Sequence, residues 1–391
     1  MFSRIKEELA LLYSTKAQSL NGKRITYLDM VRGIAIFLVV VGHSGLIGHE
    51  HNVWLSTFHL PAFFVVSGIL MQIKKEDEQS IGTVIKRKIK GVMLPYLWFS
   101  LGSLLVIIIQ VLRGKLTWEV PKELIVQTIG LQGYSVMWFL PVLLLSELFV
   151  LLLFKSMNKI IKKKMVLILI SIVITAGIAT VLFYAYHFMV TKPINSFVLG
   201  EFRTLTKTSI ASVLIAFGYL IGIVFAYIKK QPKEDGKGLK AWLRKFDIIG
   251  LVVGAILFAV NFIVVPYIQI MDLNNVNLHN LFVYWGLGIC GSLGLLLICK
   301  SIPNIPIITF YGQNSLIVMC THLNFYVLNA GMIIGRDVIE PLPGPDGLQF
   351  MLGSIVFTML LEIPVILIVR IFFPFVLGRK YPSRKQKENN A

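Results

Sequence analysis

The stretch Tyr27-Leu28-Asp29-Met30-Val31-Arg32-Gly33-Ile34-Ala35-Ile36-Phe37-Leu38-Val39-Val40-Val41-Gly42-His43 decides how this chain is read. Asp29, Arg32 and His43 are its only ionisable side chains apart from Tyr27. Arg32 and His43 stand eleven positions apart. At about 100° per residue, eleven steps return to nearly the same helix face; at a rise of about 1.5 Å per residue they cover roughly 16 Å of axis. Asp29 falls on the same stripe, about one turn earlier. Charged and titratable groups at lipid depth are costly and normally face a polar cavity rather than lipid. Taken singly, Arg32 fits a snorkelling anchor and His43 a packed imidazole. Together they set an acid, a permanent cation and a titratable base along one face, which points to chemistry along a cavity.

The chain has 391 residues, is 56% hydrophobic and has a mean hydropathy of +0.76. A soluble domain of that length cannot hide so much apolar surface. The fold class expected is therefore all-α: a polytopic integral membrane helix bundle. Windows of about 20 apolar residues give about ten transmembrane helices. They fall near 31–48, 57–73, 92–112, 134–154, 165–185, 208–228, 246–266, 281–299, 305–329 and 350–373. An even number of spans puts both termini on one side.

The formal net charge of +18 invites a nucleic-acid reading, but the loop pattern explains it better. With the N-terminus in the cytoplasm, most Lys and Arg fall in the N-terminal segment, Lys74–Lys90, Lys155–Lys164, Lys229–Lys245 and the Arg379–Lys387 tail. That is the positive-inside distribution of a cell-membrane protein, and no nucleic-acid partner is expected. Residues 1–25 read as a cytoplasmic segment, whose first 20 residues fit either a short amphipathic helix or a tail. Residues 26–378 read as the membrane domain and 379–391 as a basic cytoplasmic tail. Three cysteines without ligand spacing suggest no metal site and no disulfide framework.

Other stations along the chain could carry chemistry. Phe58-His59-Leu60-Pro61, running to Ser67-Gly68, opens the second expected span, with Pro61 placed in its first turn. His59 would then face His43 across a short outer loop. Lys86-Arg87-Lys88-Ile89-Lys90 leads into Leu94-Pro95-Tyr96; it is either positive-inside bias or a clamp for phosphate groups. Met137-Trp138-Phe139-Leu140-Pro141 is followed in the same span by Glu147, a membrane-depth carboxylate that needs a partner; Arg32 is one candidate. Gly312-Gln313-Asn314-Ser315-Leu316 leads to His322, polar groups that also suit simple interhelix bonding. Glu362 and Arg370 in the last span are too far apart to pair along one helix. Walker-type loops, GxSxG elbows and His-Glu-x-x-His are lacking in the sequence.

Taken in order, these stations resemble the acyltransferase family 3 membrane proteins, in particular the branch of bacterial fucose 4-O-acetylase-like O-acetyltransferases. The sharpest element is Arg32, ten residues, then His43, after Tyr27-Leu28-Asp29. The Phe58 to Gly68 run matches well, whereas the basic run before Leu94-Pro95-Tyr96 has its Arg and Lys positions scrambled. Trp138 to Pro141 and Gly312 to His322 match less specifically. The resemblance implies transfer of an acyl group, usually acetyl, from cytoplasmic acyl-CoA (acetyl-CoA or another acyl-CoA) to a hydroxyl of a cell-surface carbohydrate, directly or through separate polysaccharide-assembly proteins.

On that reading His43 is the general base or a transient acyl carrier, assisted by His59. Arg32, fixed by Asp29 or Glu147, binds the donor, and Arg87, Lys88 and Lys90 hold the CoA head. The rival reading is a transporter or flippase of a lipid-linked sugar, with Arg, His and Glu forming its path.

Overall fold

The computed structural model describes residues 25–227, 247–339 and 347–379. The expected N-terminal amphipathic helix, the Lys229–Lys245 loop and the tail beyond Arg379 lie outside the described residues. Those residues form fourteen α-helices and no strand, and nine helices are long and apolar enough to cross a membrane. The polytopic helix bundle expected from hydropathy is the observed fold.

In chain order the helices are α1 (Thr26–His43), α2 (His49–Ile73), α3 (Ile81–Lys88), α4 (Leu94–Leu112), α5 (Glu119–Ile129), α6 (Phe139–Met157), α7 (Lys164–Val190), α8 (Ser196–Tyr227), α9 (Ile248–Ile263), α10 (Leu281–Ser301), α11 (Pro306–Gln313), α12 (Ser315–Thr321), α13 (Val327–Ile339) and α14 (Gly347–Phe372). A π-turn over Ile89–Met93 fuses α3 and α4 into one rod. A 3-10 turn over Ser135–Trp138 leads into α6.

Burial sorts the bundle into centre and rim. In α2, 78% of the most apolar window is buried; in the Ile248–Tyr267 span containing α9, only 17% is. The α2 helix packs on α8, α10 and α1, while α7, α9 and α14 turn large apolar side chains outward, as lipid-facing helices do. The α2–α8 contact is a crossing of small residues. A Cβ on Gly68 would sit 2.0 Å from the Ile215 carbonyl oxygen, and one on Gly218 would sit 2.1 Å from that of Val65. Only glycine lets the backbones approach that closely.

Two expectations are corrected. The α2 helix begins at His49, so Pro61 lies deep inside it rather than in its first turn. Proline has no N–H to give the carbonyl one turn back, and Gly288 of α10 packs against both Pro61 and the Thr57 carbonyl at that point. The expected span 305–329 is broken into α11, α12 and the start of α13. At the break Asn314 leaves helical geometry (φ −116°, ψ 11°). Its side-chain amide donates to the Phe310 carbonyl at 2.8 Å, the acceptor its backbone N–H would have used, and that N–H turns to Tyr311 O instead. Short polar side chains compete with the helix ladder in this way.

Candidate active site

The broken segment runs beside α1. A Cβ on Gly33 would sit 2.0 Å from the Ile308 oxygen, and one on Gly312 would sit 1.7 Å from the Asp29 oxygen. Asp29 matches Ile308, Gly33 matches Gly312 and His43 matches His322, each pair 279 residues apart. A constant offset means that α1 and α11–α12 run in the same direction, crossing at the two glycines as a local two-fold pair. Ten residues past the crossing each helical segment delivers a histidine to the same place.

There, His322 Nε2 lies 3.1 Å from His43 Nδ1, with ring centroids 5.1 Å apart. His322 is fully buried, whereas His43 at the end of α1 is exposed. The Nδ1 of His322 is 2.7 Å from the Val318 carbonyl oxygen. A carbonyl only accepts, so that nitrogen carries hydrogen. In a neutral ring Nε2 is then an acceptor, and His43 donates to it from Nδ1, while the Val39 backbone carbonyl is a second acceptor for the His43 ring. The Nε2 lone pair of His43 is left for another partner.

His59 is half-buried and near enough to His43 for their charges to interact. Its Nδ1 donates to the Leu55 carbonyl, so the direct partner of His43 is His322 instead. The signal for His322 was present in the sequence: both Gly33 to His43 and Gly312 to His322 are glycine, nine residues, histidine.

Behind His322, the Thr321 hydroxyl lies 2.8 Å from Ile317 O and 3.0 and 2.9 Å from the two Glu362 carboxyl oxygens. Arg370 donates to Asn314 Oδ1 at 3.0 Å. Both charges of the last span therefore end on the broken segment.

At the opposite end of α1 lie buried Asp29 and half-buried Arg32. Because α1 is one unbroken helix, their shared stripe with His43 follows from helix geometry. Close by is a buried ionic chain. Glu147 accepts from the Ser67 hydroxyl and pairs with Lys88 Nζ at 3.0 Å. Lys88 also reaches Glu76 at 2.8 Å, and Glu76 takes Arg87 at 2.8 Å. Ser67 and Lys88 thus occupy the Glu147 carboxylate, for which Arg32 was a candidate.

Sequence reading overlooked Lys74, just past α2. Desolvation holds its ammonium below the ordinary lysine value; Glu76 opposes this, and the charges of Lys88, Arg32 and Arg87 depress it further. Those interactions mark one basic cluster. Lys86 and Lys90, in the same run, point away from it and are exposed. Among the described residues, no group of three or more His, Cys, Asp or Glu side chains gathers as metal ligands would.

One helix thus joins a basic, anion-attracting end to an imidazole pair with a free acceptor nitrogen. Residues 25–379 match the sequence profile of the acyltransferase 3 family, described as an acyltransferase domain. The chain belongs to that family, whose members are membrane-embedded acyltransferases. No curated protein and no solved structure matches the chain.

Proposed function

We propose that this protein is an acyl-CoA-dependent O-acyltransferase of the bacterial cell membrane, of the fucose 4-O-acetylase-like branch. It moves an acyl group, acetyl in the first instance, to a hydroxyl of a cell-surface carbohydrate. Both termini lie in the cytoplasm on this reading, which the positive-inside distribution supports. The observation that carries it is the His43–His322 hydrogen bond at the far end of the helix bearing Arg32.

The donor's phosphates are held at the basic end by Arg32, Lys74 and Arg87, with Asp29 beside them. The pantetheine arm runs along α1 toward His43, the roughly 16 Å between Arg32 and His43 being comparable to its reach. His43 Nε2 takes the acceptor hydroxyl's proton as its oxygen attacks the thioester carbon. The C–O bond forms, the C–S bond breaks, and the CoA thiolate takes the proton back from His43 Nε2–H. His322 holds the His43 tautomer and accepts the stronger Nδ1–H bond of the transient imidazolium. His59 helps to shape the same chamber. Lys88 and Glu147 keep the basic end folded rather than touching substrate, and Lys90 faces elsewhere.

His43→Ala should lower acyl transfer by about 10²- to 10⁴-fold, the usual worth of a positioned base, with protein abundance near normal. Thiol release from acetyl-CoA by purified protein, in the presence of an acceptor glycan, is the measurement. Wild-type turnover in that variant would remove the base from the mechanism. Mass spectrometry of surface glycans with and without the gene would identify the acyl group and acceptor, and loss of sugar export without a mass difference would favour the transporter reading.

A further inference from the structure

The basic run from Lys86 to Lys90 is divided by the fold. Arg87 and Lys88 are paired with Glu76, and Lys88 also with Glu147. Among the described residues, Lys86 and Lys90 have no carboxylate within ion-pair distance. They stand four positions apart where α3 passes into the π-turn, so they lie on one side of the rod. Between them opens a groove of about 440 Å³, lined by Gly82, Ile85, Lys86, Ile89, Lys90 and Leu94. Its walls are almost wholly aliphatic, the stems of Lys86 and Lys90 included, and among the described residues that line it these two lysines are the only charged ones. The groove continues into the outward face of α4, where Leu97, Leu101 and Leu105 are exposed at four-residue spacing. That face has the character of a lipid-contacting surface.

We propose that this groove binds an anionic phospholipid of the leaflet that faces the basic loops. Its phosphate sits between Lys86 and Lys90, and an acyl chain lies along Ile85, Ile89, Leu94 and the leucine stripe. Two unpaired ammonium groups at the membrane surface attract such lipids at about 1 kcal/mol each, roughly fivefold in affinity per lysine. A CoA head group is the poorer occupant, because the lining offers its adenine and amides only aliphatic walls. The neighbouring π-turn is a feature that often accompanies binding sites. The proposal stands whether or not the catalytic reading does.

The test is titration of the purified full-length protein, in neutral detergent, with a fluorescent phosphatidylglycerol and, in parallel, a fluorescent phosphatidylcholine. Phosphatidylglycerol should bind in preference. Lys86→Gln/Lys90→Gln should weaken it by tenfold or more, and Ile89→Gln, which leaves charge unchanged, by at least a few fold. Lys162→Gln/Lys163→Gln, which removes equal charge from another exposed loop, should leave binding unchanged. Equal losses in both double variants, or no loss in Ile89→Gln, would mean diffuse attraction and overturn the site. An acetyl-CoA KM raised by Lys86→Gln/Lys90→Gln with lipid binding intact would assign the lysines to the donor and also overturn it.

Discussion

His322 Nε2 and His43 Nδ1, 279 residues apart in the chain, lie 3.1 Å from one another. The Val318 carbonyl behind His322 sets the direction of that bond. His322→Ala should therefore lower kcat by about tenfold to 10³-fold while leaving the acetyl-CoA KM within about threefold, because it removes support for a charge formed only in the transition state. His322→Gln, whose amide oxygen is able to accept from His43 Nδ1, should recover part of the loss. Steady-state kinetics of the two variants decide it. Equal kcat in alanine and glutamine variants would leave His322 a packing residue.

The histidine pair depends on the glycine crossing below it. A Cβ on Gly312 would lie 1.7 Å from the Asp29 oxygen, which is backbone and has no rotamer to give way. Gly312→Ala should cost about 1–3 kcal/mol by overpacking and lower activity further by spreading His43 from His322. Thermal unfolding in detergent and thiol release are the paired measurements. A variant with wild-type values of both would contradict the close approach.

Lys88 and Lys90 should behave oppositely. Lys88 is 9% exposed and shared between Glu76 and Glu147. Lys88→Met leaves buried Glu147 without its cation and Glu76 with Arg87 alone, a loss of about 3–5 kcal/mol, and Lys90→Gln should stay within about 0.5 kcal/mol. The shift of melting temperature reports both. Similar melting temperatures for the two variants would show that the ionic chain does not hold the fold.

Donor binding should carry a pH signature from Lys74. Its folded value lies below the ordinary 10.5, so its ammonium is lost over a window beginning at lower pH than in a free lysine. Phosphate groups bind the charged form. The acetyl-CoA KM should therefore begin to rise at a lower pH than the loss of an ordinary lysine's proton would allow. Lys74→Arg, charged throughout, should flatten that rise. A profile identical in both proteins would remove Lys74 from the donor site.

Much of this was legible in the chain. Hydropathy gave the all-helical membrane bundle, and the Asp29, Arg32 and His43 stripe survived because α1 is one unbroken helix. The span over 305–329 misread itself, since window averaging hides Asn314, whose side chain captures a backbone acceptor. Pro61 was placed at a helix start because the polar residues before it lowered the local hydropathy, although α2 already runs from His49. Burial alone told Lys88 from Lys86 and Lys90, which are chemically alike in sequence.

By itself the sequence determined what short-range order and bulk composition control: helices, their apolar lengths, and which side chains share a face of one helix. The tertiary structure alone decided which histidine meets His43, which cation pairs with Glu147 and which members of the basic run are paired with carboxylates among the described residues. The His43 and Glu147 pairings join residues dozens to hundreds of positions apart, and the histidine pair in particular rests on the close crossing of glycine backbones at Gly33 and Gly312, which no local pattern of polarity encodes.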